Sequence, residues 1–78
     1  MLLDVSVVSP IKIIFEGKAR SIILPGEQGV FEVLPFHKPI LSRLITGRIV
    51  IDDVSFSILR GAVKVHQNKV TIVLEEAL

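Results

Sequence analysis

An all-β fold, a flattened antiparallel sandwich or barrel, is what the 78 residues predict, and three observations carry the expectation. Eleven Val and eleven Ile make 22 of 78 residues β-branched aliphatics, a composition that suits pleated, half-buried surfaces and not a helical bundle or a disordered chain. Short apolar runs alternate with polar residues at period two along the whole length. Pro, Gly, Asp and Asn punctuate those runs at short intervals, as turns between strands require. Together they mark about eight or nine strands.

The first strand is set by Leu3, Val5 and Val7 alternating with Asp4 and Ser6. Ser9-Pro10 breaks it, and Ile11, Ile13 and Phe15 alternate with Lys12 and Glu16 in a second. Glu16-Gly17-Lys18 reads as a turn, followed by a third run over residues 20–24 that Pro25-Gly26 ends. Gly29 opens a fourth run through residues 30–34, and Pro35-Phe36-His37-Lys38-Pro39 follows as a stiff loop bracketed by prolines. Ile40, Leu41, Leu44 and Ile45 have the spacing of one helical turn, but the segment is short, and a short strand or extended turn is expected there. Ile49 and Ile51, the Asp52-Asp53 turn, and Val54, Phe56 and Ile58 form a hairpin. A second hairpin joins 62–66 to 69–74 around Gln67-Asn68, where Asn tolerates positive φ. The four prolines are expected between strands, since a central strand needs its ladder hydrogen bonds.

Length and the absence of any composition shift predict one β-sandwich domain over residues 1–78. Nine Lys+Arg against eight Asp+Glu give a net charge of +1, too little to steer the chain to nucleic acid. The basic residues are dispersed and only four Phe are present to stack bases, so no nucleic-acid partner is expected. Charges recur too often for a spanning helix, and Met1-Leu2-Leu3-Asp4 lacks a basic leader region. The expectation is a cytoplasmic chain without direct membrane insertion.

The residues that do chemistry elsewhere are poorly arranged here. With no Cys and only His37 and His66, the ligand set for zinc is missing, and no metal or cofactor is expected. No Ser sits in a nucleophile elbow. Asp52-Asp53 and Glu75-Glu76 are adjacent pairs, which a strand would point to opposite faces. Gly17-Lys18 lacks the upstream glycine of a phosphate loop and is followed by Ala19. The expectation is a non-catalytic domain whose function lies in a surface, with residues 24–47, held by two rigid turns, as the best candidate. One open alternative is a free-standing sandwich that binds a small ligand or peptide, which would require a concave apolar pocket.

Residues 24–47 carry Pro25-Gly26-Glu27-Gln28-Gly29, then Pro35-Phe36-His37-Lys38-Pro39-Ile40-Leu41, then Gly47. This succession resembles the signature of the epsilon subunit of F-type ATP synthases, called delta in mitochondria. Val7-Val8-Ser9-Pro10, Phe15-Glu16-Gly17, and the stretches 56–65 and 68–77 resemble the family's other blocks, so the likeness covers essentially the whole chain. It implies the N-terminal sandwich of that subunit, of roughly ten strands, and the combined expectation is about 8–10 short strands without C-terminal helices.

The resemblance also implies a non-catalytic rotor part, seated between the gamma subunit and the polar loops of the membrane c-ring, on the cytoplasmic side of the bacterial inner membrane. It implies no homo-oligomer. His37 matches the family's stalk-facing histidine, and Ser42 falls where a small hydroxyl residue neighbours gamma. The position after the turn's second glycine, often an acid facing the ring, is Val30 here, and Glu32 on the same strand face is expected to substitute. Arg60-Gly61 stands where the family has Gly-Gly. Most members continue with two helices that brake ATP hydrolysis, whereas this sequence stops at Leu78, which leaves two alternatives: a short form without that hairpin, or one domain of a longer protein.

Overall fold

The computed structural model describes residues 1–75, and every regular element among them is a strand. The order is β1 (Leu3–Val8), β2 (Ile13–Ala19), β3 (Ile22–Gly26), β4 (Gly29–Val33), β5 (Ile40–Leu44), β6 (Gly47–Ile51), β7 (Val54–Ile58), β8 (Gly61–His66) and β9 (Lys69–Leu74). Five of them form one arm of a curled sheet in the order β2-β1-β9-β8-β5, and the other arm runs β4-β3-β6-β7. The arms meet at a single corner pair, Gly26 with Leu44.

Period-two burial is the organising force. Leu3, Val5 and Val7 of β1, Val63 and Val65 of β8, and Val70, Ile72 and Leu74 of β9 are buried from one arm. They meet Ile22 and Leu24 of β3, Val33 of β4, Ile49 and Ile51 of β6, and Ile58 of β7 from the other. No polar side chain is buried among the described residues. The core is therefore held by aliphatic burial, at about 25 cal/mol per Å² of apolar surface removed from water.

The turns follow the expected chemistry in most places. Gln67 and Asn68 have φ of 49° and 63°, the pair of positive values that a two-residue type I′ hairpin turn requires. Asp52 has φ 51°, and its carboxylate accepts from the amides of Arg20 at 3.0 Å and Ser21 at 3.1 Å. One side chain thus ties the β6–β7 hairpin to the connection between β2 and β3. Ser9 closes the β1–β2 turn, its amide donating to the Lys12 carbonyl at 2.9 Å.

The strand expected over the ambiguous residues 40–45 is present as β5, but four other expectations are corrected. Glu16-Gly17-Lys18 is not a turn: it lies inside β2 opposite Ser6, Val5 and Asp4, because pairing along β1 outweighs the local turn signal, while the Phe15 ring packs beside Gly17. Ile11 and Ile13 are 77% and 62% exposed, because Ile11 lies in the turn before β2 and the register shift beside Val8 breaks the alternation of Ile13 with Phe15. Pro25 lies within β3, not beyond it. That position tolerates a missing N–H because the β6 ladder reaches only Ile22 and Ile23, and the Pro25 carbonyl still accepts from Ile45 at 2.9 Å. Finally, β1 and β9 run parallel, the one parallel pair among the described residues in an otherwise antiparallel ladder. Glu76 and Ala77, which belong to the last of the family-like blocks, and Leu78 after them lie outside the described residues.

Candidate functional site

Residues 24–47 form the β3–β4 hairpin, a proline-bracketed loop and β5. At the hairpin tip Gly26 faces Gly29 across a two-residue turn, and Gly29 has φ +126°, a conformation that side chains disfavour. A Cβ on Gly26 would stand 2.7 Å from the Phe31 ring. Both glycines are thus set by backbone shape and close approach.

Beyond the tip, β4 alternates. Phe31 packs against the core and Val33 is buried, which turns Val30 and Glu32 together to the solvent side. Val30 is 74% exposed. The loop then folds into a tight turn in which the His37 amide donates to the Leu34 carbonyl at 3.1 Å. Phe36 takes a left-handed φ of 67°; its amide donates to Asn68 Oδ1 at 2.6 Å, and its ring is left 78% exposed. His37 is half-buried, and its Nδ1 lies 2.7 Å from the Lys38 carbonyl. A carbonyl only accepts, so in this hydrogen bond Nδ1 is the donor.

On β5, Ser42 pairs with the buried Val63, which puts it on the inward side of the curl. Its hydroxyl donates to the Arg43 carbonyl at 3.3 Å. Val30 and Ser42 border the same shallow depression, of about 420 Å³, with Gly26, Glu27, Gln28, Gly29 and Phe31. Of the four residues singled out in the sequence, Val30 and Ser42 therefore come together, Glu32 continues the outward row of β4, and His37 sits in the next turn. No hydrogen bond or ion pair links any two of them among the described residues. Nor do those residues include a group of three or more His, Cys, Asp or Glu able to hold a metal ion.

Sequence reasoning overlooked Phe36, Leu41 and Asn68. Leu41, on the outward side of β5, is 80% exposed, and Asn68 serves as an anchor for the Phe36 amide as well as a turn residue. The bracketing prolines were the available signal for Phe36; nothing local marks Leu41 as outward.

A family model described as "ATP synthase, Delta/Epsilon chain, beta-sandwich domain" matches residues 2–78. The ATP synthase epsilon chain of Sulfurovum sp. (strain NBC37-1) is 37% identical over 82 residues, covering 99% of this chain and 64% of that protein. The epsilon chain of Rickettsia bellii is 34% identical over 83 residues, covering 97% and 77%. The chain thus spans a little under two thirds of the Sulfurovum relative and about three quarters of the Rickettsia one. Among solved structures, a chain of the central stalk/c-ring of Tetrahymena thermophila mitochondrial ATP synthase superposes with a TM-score of 0.80 at 18% identity, over 95% of this chain and 63% of that one. A chain of the Euglena gracilis mitochondrial ATP synthase assembly of OSCP, F1 and c-ring gives 0.89 at 18% identity, over 99% and 52%. At such identity these two likenesses are of fold.

Proposed function

Because the chain belongs to the ATP synthase delta/epsilon family, whose β-sandwich domain model it matches over residues 2–78, we propose that it is a non-catalytic central-stalk subunit of an F-type ATP synthase. In this role one β-sandwich domain couples the gamma subunit to the polar loops of the c-ring during proton-driven ATP synthesis. The complex holds it peripherally on the cytoplasmic side of a bacterial inner membrane. No helix among the described residues is long and apolar enough to cross a membrane.

The observation that carries the reading is the apolar exposure of residues 30–41. Val30 (74%), Leu34 (49%), Phe36 (78%) and Leu41 (80%) face solvent on a backbone fixed by the β3–β4 turn and by the Asn68 bond. Exposed apolar side chains on rigid backbone suit a partner surface, because little conformational freedom is lost on docking. In the assembly His37 and Ser42 face gamma, and Val30 and Glu32 face the ring. The free-standing ligand-binding reading receives less support: the depression beside Val30 is lined by the polar and glycine residues of the hairpin tip and by Ser42 of β5, without the convergent apolar walls of a small-molecule site.

Size-exclusion co-elution with the gamma subunit of the same genome tests the role. A one-to-one complex with an interface of roughly 1,200–2,000 Å² in total is expected. Two separate peaks, with both proteins folded, would overturn it. Alanine at both His37 and Ser42 is expected to weaken the complex; unchanged affinity would reject those two assignments while leaving the role standing.

A further inference from the structure

On the outer surface of the five-stranded arm, the β8–β9 register places Lys64 opposite Thr71 and His66 opposite Lys69. Lys64 and His66 alternate with the buried Val63 and Val65, and Lys69 and Thr71 with the buried Val70 and Ile72. All four side chains therefore point outward as a two-by-two block, about 5 Å across the strands and about 7 Å along them. These four residues alone line a depression of about 130 Å³.

The charge on β5, β8 and β9 is one-sided. Arg43 of β5 also points outward, and no outward position of β5, β8 or β9 is acidic, although the chain holds eight Asp+Glu against nine Lys+Arg. On the other side of β9, Asp4 of β1 is the direct register partner of Lys69 and feels its charge, and Glu16 lies one strand further out on β2. Asp4 is already held by Lys18 at 2.7 Å. Among the described residues, the side chains of Lys64, His66 and Lys69 make no hydrogen bond and no ion pair within 4.0 Å. Like charges at neighbouring sheet positions repel one another, and an anion at the centre of the block turns that repulsion into attraction.

We propose that Lys64, His66, Lys69 and Thr71 form a binding site for a phosphate-class anion on the outer face of β8 and β9. Two ammonium groups, an imidazole and a hydroxyl supply more donors than a carboxylate's two oxygens use, and they suit a tetrahedral phosphoryl group with three. The site is open to solvent, so its affinity is modest and falls with salt. A free phosphate ester and a phospholipid headgroup present the same chemistry. The site does not depend on the stalk reading.

The test is an NMR titration of the isotopically labelled chain at low ionic strength, following the His66 ring, the Thr71 amide and the lysine methylenes. The probes are sodium pyrophosphate and, separately, phosphatidylcholine vesicles with and without phosphatidylglycerol. Saturable shifts at the four residues, with a dissociation constant on the order of a millimolar, are expected. The double variant Lys64→Gln/Lys69→Gln is expected to weaken binding about tenfold or more, and Lys12→Gln at the opposite turn to leave it unchanged. His66→Gln alone serves as a milder second variant. A pyrophosphate response identifies a free ligand; a response confined to phosphatidylglycerol vesicles and lost in the double variant identifies a headgroup. The proposal is overturned if neither probe binds, if Lys12 and Lys38 shift as strongly, or if the variants bind as the parent does.

Discussion

The amide of Phe36 donates to the side-chain carbonyl of Asn68 at 2.6 Å, joining the proline-bracketed loop to the tip of the β8–β9 hairpin. This bond holds an exposed aromatic ring in a left-handed backbone conformation that phenylalanine otherwise disfavours. Asn68→Gly keeps the positive φ the turn needs and removes the acceptor, together with the weak Nδ2 contact to Met1 Sδ at 3.5 Å. It is expected to lose about 1–2 kcal/mol in urea unfolding and to weaken gamma binding by freeing Phe36. Equal stability and equal affinity would show that the prolines alone fix the loop.

Gly61 and Gly17 offer a matched pair. A Cβ at Gly61 would stand 2.6 Å from the Val73 carbonyl oxygen, a backbone atom that cannot step aside, so Gly61→Ala is expected to cost about 1–3 kcal/mol. At Gly17 the nearest atoms are Phe15 ring carbons at 3.6 Å, an ordinary contact in a β-strand. Gly17→Ala is expected to be neutral or stabilising by up to about 1 kcal/mol. Chemical denaturation of both variants checks the contrast, and a reversed order would contradict the register of β2 or β8.

Asp52 accepts two amides from the β2–β3 connection while itself at positive φ. Asp52→Ala removes the acceptor and the residue type that tolerates that backbone, with an expected loss of about 1–3 kcal/mol. Asp52→Asn keeps one carbonyl oxygen and the backbone tolerance, so it is expected to lose less. Thermal unfolding of the two variants side by side tests this ordering.

The ammonium of Lys18, at 2.7 Å from Asp4, holds the Asp4 carboxyl below its ordinary value of 3.8, first through the hydrogen bond and then through charge attraction, with a smaller pull from Lys69. A carboxyl depressed in the folded state stabilises the fold above its unfolded value, and that contribution is lost as pH falls through the lower folded value. Lys18→Gln is expected to return the Asp4 titration to the ordinary carboxylate range by NMR. The stability gap between parent and variant should be small at neutral pH, shrink with salt and close in strong acid. A gap that persists in acid would assign the effect of Lys18 to packing.

Much of the fold is legible locally because its core alternates. Leu3, Val5 and Val7, like Val70, Ile72 and Leu74, announce their buried face by spacing alone, and Gln67-Asn68 announces its turn. What failed was non-local. Gly17 reads as a turn until β1 is laid beside it, and the parallel contact of β1 with β9 joins opposite ends of the sequence. The candidate site divides in the same way. The shared face of Val30 and Glu32 follows from their spacing, whereas the approach of Ser42 to Val30 depends on the corner pair Gly26–Leu44. No window of sequence contains that corner.

The parallel pairing of the first and last strands has a kinetic meaning. β1 lies between β2, its immediate successor, and β9, more than sixty residues on, so half of its ladder waits until β9 has been made. A ribosome-bound chain can close the β1–β2, β3–β4 and β6–β7 hairpins early, but the five-stranded arm zips only after β9 arrives. Closing so large a loop is entropically costly and slows folding. Stopped-flow refolding is therefore expected to show Val5→Ala, at the position that pairs with Val70 of β9, slowing folding more than it speeds unfolding, the mark of contacts made at the barrier.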